Sequence, residues 1–156
     1  MNNEEYFMQE AIRLSMQNID SGGGPFGAVI VKDGEIIATG VNRVTHDNDP
    51  TAHAEVNAIR IAAKVLNTFD LSDCEIYTSC EPCPMCLGAI YWAHIKKVYY
   101  ANTKKDAQKI NFDDSFIYDE LQVPISERKI PFIRLLSEKA ILTFEKWGKY
   151  DGKIRY

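Results

Sequence analysis

Little in this sequence is basic, and little of it is sulfur or imidazole. Acidic residues outnumber basic ones by 22 to 18, a formal net charge of −4 over 156 residues, and there are only four cysteines and three histidines. The acidic balance offers no general attraction to nucleic acid or to an anionic membrane, so neither is expected as a partner. No apolar run approaches the ~20 residues of a membrane-spanning helix. The stretch Met1-Asn2-Asn3-Glu4-Glu5 lacks the basic start and apolar core of a signal peptide. Gly22-Gly23-Gly24 has neither G-x-G-x-x-G nor Walker spacing, which leaves a helix stop and turn in place of a phosphate loop. Internal repeats and low-complexity segments are missing too. What remains is 46% hydrophobic, enough to bury a core, and reads as a single domain over 1–156.

Helical and strand patterns alternate along the chain. Residues 4–19 set Phe7, Ala11 and Leu14, with Met8, Ile12 and Ile19, on one helical stripe. Two strands, 27–31 and 36–41, flank a turn containing Asp33-Gly34, a good hairpin signal. Asp49-Pro50 reads as an N-cap followed by proline at the first helical position, so a helix is expected over 50–66. A buried strand over 75–78, a helix over 82–93 and a strand over 97–101 follow. Residues 112–120 read as a loop and short helix, 131–136 as another strand, and 140–149 as a last helix. This order implies parallel pairing with helices on both faces. Ligands of such sheets bind beyond the carboxyl ends of the strands.

The scarce residues fall into one pattern. His53 precedes Glu55 by two positions, and Pro82-Cys83-Pro84-Met85-Cys86 follows about thirty residues later. One imidazole and two thiolates make three ligands of the kind zinc takes. Structural zinc sites are normally closed by four protein ligands, whereas catalytic ones keep a position for water. Two residues apart on a helix, His53 and Glu55 point in different directions, which favours one ligand and one non-ligand. Cys83 and Cys86, three apart, share a face, and the positive end of a helix favours their thiolates. Three ligands with a carboxylate nearby suggest a metal-activated water, with Glu55 as the proton carrier. The backbone N–H of Ala54 can steady the adduct from the helix start. A redox C-x-x-C pair is the plainer alternative. Cys80 extends the series toward an iron–sulfur run, but that run needs a cysteine at position 90, where Ile90 stands. Thiolate ligands fit a reducing compartment better than a disulfide framework, so a cytoplasmic location is expected.

H-x-E…P-C-x-x-C is the signature of zinc nucleobase deaminases, and the chain resembles the cytidine-deaminase-like superfamily. Deaminases of cytidine, of tRNA adenosine and of free guanine share that motif. Several stretches are more similar to the small bacterial guanine deaminases: Gly24-Pro25-Phe26-Gly27-Ala28-Val29-Ile30-Val31-Lys32-Asp33-Gly34, residues 49–55 and 77–92, and Phe112-Asp113-Asp114-Ser115-Phe116-Ile117-Tyr118. The similarity runs almost end to end. It implies an α/β fold, a three-layer α/β/α cytidine-deaminase-like sandwich with a mixed five-stranded sheet. It also implies Zn2+ on His53, Cys83 and Cys86, and hydrolysis of free guanine to xanthine and ammonia. In that scheme a zinc-bound hydroxide attacks C2 of guanine while Glu55 shuttles protons. Asn42 matches the family residue that reads the base edge, and Asp114 and Tyr156 match substrate recognition and closure. The C-terminal segment, about 135–156, would be exchanged between the subunits of a homodimer.

Each secondary residue has a plainer reading. Asn42, at a strand end, could bind its own turn. Asp113 and Asp114 could be a helix cap and a solvated neighbour, and which of them meets substrate is open. Phe26 is a candidate for stacking on the purine, although aromatic residues at strand ends are more often core, as Trp92 is expected to be. His46 reads as a loop residue and His94 as a partner of a negative helix end. Cys74 reads as a packing thiol, and Cys80 as a support of the metal loop. Two rival functions stand beside guanine deamination. One is tRNA adenosine deamination, supported by the motif and the basic tail Lys146, Lys149, Lys153 and Arg155. The other is a zinc-stabilised binding module without catalysis.

Overall fold

Two buried strands and their two neighbours make one sheet. The computed structural model describes residues 3–156; Met1 and Asn2, part of the stretch read above for a signal peptide, lie outside them. Strands β1 (Gly27–Lys32), β2 (Glu35–Val41), β3 (Cys74–Cys80) and β4 (Lys97–Asn102) stand in the order β2-β1-β3-β4. β1 runs antiparallel to both β2 and β3, while β3 and β4 are parallel, so the sheet is mixed. The β1–β2 turn takes positive φ at Asp33 (51°) and Gly34 (80°), the twist that matches a hairpin's strands.

Alternation along β1 and β3 sorts the core into two layers. Val29, Val31 and Tyr77 pack with Phe7 of α1 (Asn3–Asp20) on one face. Ala28, Ile30, Cys74 and Ile76 pack on the other with Ala54, Ala58 and Ala62 of α3 (Ala54–Leu66) and Ile90 of α4 (Pro84–Trp92). Strands covered on both faces read as continuous apolar runs, which is how Ala28-Val29-Ile30-Val31 appears. The three-layer α/β/α expectation holds for this unit. Small residues let α3 approach closely: a Cβ at Gly40 of β2 would meet the Ala54 carbonyl and lie 2.6 Å from the Ala58 nitrogen.

Several expectations are corrected. The sheet has four strands among the described residues, where five were expected. Residues 131–136 form no strand. An apolar run has no ladder to join without a neighbouring strand, and Phe132, Ile133, Leu135 and Leu136 are exposed. The zinc-motif helix opens at Ala54, not at Pro50. Asp49 instead closes a turn, its Oδ1 accepting from the Thr51 N–H (2.8 Å) and hydroxyl (2.7 Å). The cysteine helix opens at Pro84 with Cys83 as its cap. Trp92 is exposed, because α4 turns Cys86 and Ile90 inward and carries Trp92 outward. On α1, Ile12 and Ile19 are exposed while the polar Ser15 and Asn18 are buried. The short helices α2 (Val44–Asp47) and α5 (Lys104–Lys109) complete this unit. His46 lies on α2, not in a loop, with its Nε2 2.8 Å from the Ser21 carbonyl.

The chain divides into two compact units, and Ser115–Tyr156 is the second. It contains α6 (Ser115–Gln122), a 3-10 turn at Ile125–Glu127 and α7 (Ser137–Lys149). Leu136 caps α7 in the left-handed region, at φ 52°. The Glu120 carboxylate accepts from the Lys129 N–H at 3.0 Å. No described helix is long and apolar enough to cross a membrane.

Candidate metal centre and active site

Two helix starts converge on one point. His53 is the extended N-cap residue of α3 and Cys83 that of α4. The Asp49 turn and Asn57 hold the first start: the Asn57 amide donates to the Val41 carbonyl (2.9 Å) and the Ala52 carbonyl (3.3 Å). Glu81 holds the second, its N–H donating to the Asn102 carbonyl and its carboxylate accepting from the Lys104 N–H, both at 2.8 Å. At the cap itself the Cys86 N–H donates to Cys83 Sγ at 3.5 Å. A side-chain acceptor there satisfies a helix N–H that would otherwise have no partner.

The donor atoms of His53, Cys83 and Cys86 lie within 4.8 Å of one another. His53 Nδ1 is 3.5 Å from each sulfur. Zinc bonds of ~2.3 Å to sulfur and ~2.0 Å to nitrogen, at tetrahedral angles, would set an N–S edge of roughly 3.5 Å. The three donors therefore fit zinc in type and spacing, and they leave one tetrahedral vertex. Cys80 and Cys74 stand outside the cluster. Both are buried, and burial raises both thiols, Cys80 to about 11. Cys80 Sγ reaches the Thr103 carbonyl at 3.7 Å, at the start of α5. Cys83 is the opposite case. Hydrogen bonding from Cys86, joined by His53, brings its thiol down to about 4 against the effect of burial. Its thiolate raises the neighbouring Cys86 thiol, with burial adding to the rise.

Glu55 follows on the first turn of α3 and is only 6% exposed. Burial raises its carboxyl above the usual carboxylate range, partly offset by hydrogen bonds from its own N–H, Thr78 and Cys86. A buried carboxylic acid poised this way is suited to take and return a proton. Ala54, fully buried, sits between His53 and Glu55.

The remaining sequence candidates are unequally placed. Asn42 is buried at the end of β2, its Oδ1 accepting from the Val44 N–H at 3.2 Å, so its own turn does hold the side chain. Asn18 supports that turn, one amide nitrogen donating to the carbonyls of Gly24 and Asn42, each at 2.8 Å. Sequence periodicity missed Asn18, although a polar residue on an apolar stripe was the available signal. The Phe26 ring meets Phe112 edge-on at 4.9 Å. Asp114 is half-buried; burial raises its carboxyl, and the Cys83 thiolate adds to the rise. Asp113 accepts from the Gln108 amide at 3.3 Å. Tyr156 belongs to the second unit.

Residues 1–102 match the family model for the cytidine and deoxycytidylate deaminase zinc-binding region. The chain belongs to this family. Guanine deaminase of Bacillus subtilis (strain 168) is 55% identical over 155 residues, 99% of either chain. The X-ray structure of guanine deaminase from Bacillus subtilis matches with a TM-score of 0.96 at 55% identity, covering 100% of this chain and 99% of that one. A tRNA-specific adenosine deaminase of Aquifex aeolicus (strain VF5) is 44% identical over 102 residues, 65% of this chain and 68% of its own. Within the zinc-binding family the chain thus falls among the guanine deaminases, and its likeness to them continues through the second unit.

Proposed function

We propose that this protein hydrolyses free guanine to xanthine and ammonia. The observation that carries the reading is a buried carboxylate, Glu55, two residues from a three-donor metal centre, in a chain similar to guanine deaminase over its whole length. His53, Cys83 and Cys86 would hold the zinc. When bound, the metal supplies a Lewis acid that brings the pKa of water toward ~7. Glu55 takes a proton from the attacking water and delivers it to a ring nitrogen. It then takes the remaining proton from the oxygen now bonded to C2 and gives it to the amine, so that the C2–N bond breaks as C2=O forms. The Ala54 N–H, at the start of α3, would steady negative charge developing on oxygen.

Asn42, with donor and acceptor on one amide, and Asp114 would read the base edge. Phe26 offers a ring beside them for the purine face. We propose further that the chain acts as a single deaminase domain, as a homodimer. Its C-terminal segment, about 135–156, would pass to the partner, where Tyr156 would help close the pocket. Four free thiols suit a reducing, cytoplasmic setting, and the reaction belongs to purine breakdown.

Ammonia release from guanine, cytosine, adenosine and tRNA tests the reading with one protein preparation. Guanine is expected to be turned over fastest. A site built on hydrogen bonds to one substrate rejects analogues lacking them by roughly 10⁴-fold. Inosine in tRNA without xanthine would replace this reading with tRNA adenosine deamination. No ammonia from any substrate, with zinc bound, would leave a binding module.

A further inference from the structure

β3 carries two adjacent buried hydroxyls, and they face opposite layers. Ser79 Oγ accepts from the Gly27 N–H at 3.1 Å, which ties β3 to the start of β1. Thr78, 1% exposed, turns to the layer of α3, where its hydroxyl lies 2.8 Å from Glu55 Oε1 and 3.1 Å from the Cys80 carbonyl. The first hydroxyl serves the sheet. We propose that the second is a positioning residue, Thr78 fastening Oε1 of Glu55 so that Oε2 is presented for proton transfer. The inference rests on the reading of Glu55 as the proton carrier.

The geometry suits an anchor. Thr78 stands in the middle of the sheet, paired with Ala28 on β1 and Tyr100 on β4. Its backbone is therefore held from both sides, and a β-branched side chain has little freedom about χ1. The glutamate it holds is different. Its terminal torsion lies in a broad, roughly two-fold well, so burial alone does not choose which oxygen faces the metal centre. A bond to one oxygen does choose. A misplacement of about 1 Å near reacting atoms can cost about 100-fold in rate.

Zinc-loaded Thr78→Val, Thr78→Ser and Glu55→Gln, assayed with guanine, test the inference. Valine keeps the shape and loses the hydroxyl. Its kcat is expected to fall by about 10- to 100-fold, with KM within about twofold of the parent if guanine binding is untouched. Thr78→Ser, which restores the hydroxyl, is expected to stay close to the parent. An unchanged kcat in Thr78→Val while Glu55→Gln is inactive would overturn the role of Thr78 and leave that of Glu55 standing. An equal loss in serine and valine would overturn it too, because restoring the hydroxyl would then recover nothing. Activity retained in Glu55→Gln would instead remove the proton carrier, and this inference with it. Should Thr78→Val fail to fold or to bind zinc, Thr78→Ala against Thr78→Ser isolates the hydroxyl. Serine faster than alanine supports the inference, and equality ends it.

Discussion

Metal-free protein contains four chemically unequal thiols. Cys83 is half-buried with its thiol brought down to about 4, while Cys74 and Cys80 are buried and raised. A depressed thiol is reactive above its pKa and silenced as pH falls through it. Alkylation of the metal-free protein, followed by mass spectrometry, should therefore mark Cys83 first. The rate should hold from neutral pH down and drop only as pH approaches 4; zinc should protect Cys83, and equal labelling of all four would refute the assignment. Glu55→Gln should keep zinc and lose about 100- to 10,000-fold in turnover, the usual worth of positioned proton transfer; a variant stripped of metal would make Glu55 a ligand instead. At this scale the motif made the metal donors and Glu55 legible, because their chemistry demands those residue types. Thr78 and Asn18 were not legible. A buried hydroxyl or amide has the same one-letter code whether it ties a turn, a sheet or a carboxylate.

Both candidate ligand loops end in a helix whose cap is itself a donor. Sequence patterns set both helices too early, the first by a full turn, because Asp49-Pro50 has the form of a helix start but closes a turn on Thr51. The hairpin was legible from Asp33-Gly34, and it forces β1 antiparallel to β2 where helix–strand alternation alone implied parallel pairing. The capping box of α5, Thr103 with Asp106, has an equally local form, T-x-x-D. Residues 131–136 show the opposite limit: an apolar run specifies a strand only when a neighbour is there to bond it. The approach of α3 to β2 at Gly40 gives an element-scale test. In Gly40→Ala the new methyl meets the Ala54 carbonyl and the Ala58 nitrogen, and helix start and metal donor must move together. Denaturant unfolding should register a loss of roughly 1–3 kcal/mol, and competition with a chelator should show weaker zinc binding. Normal stability with normal affinity would mean that the layers yield without cost.

At the scale of the whole chain, the family model covers residues 1–102, whereas likeness to guanine deaminase runs to the end. The proposed exchange of the C-terminal segment turns that difference into an experiment. Removing residues 153–156 should lower guanine turnover about tenfold or more, equivalent to some 1.4 kcal/mol of transition-state stabilisation, with zinc retained. Mixing the truncated protein with Glu55→Gln should raise activity above that of either alone, since one site in the mixed dimer would combine an intact carboxylate with an intact tail. Full activity after truncation would end the closing role of Tyr156, and mixed dimers without rescue would end the exchange. The end-to-end resemblance was legible in Phe112-Asp113-Asp114-Ser115-Phe116-Ile117-Tyr118; periodicity alone said nothing about where the tail belongs.

His53 and Cys86 are 33 positions apart in the chain. A metal shared between them closes that stretch as a cross-link would, and in a chain-entropy account a loop of that length is worth about 3–4 kcal/mol against unfolding. Heat resistance and chemistry would then draw on the same three side chains. A chelator should lower the melting temperature as well as abolish turnover, so that losing the ion marks the protein for unfolding at the moment it becomes useless as a catalyst.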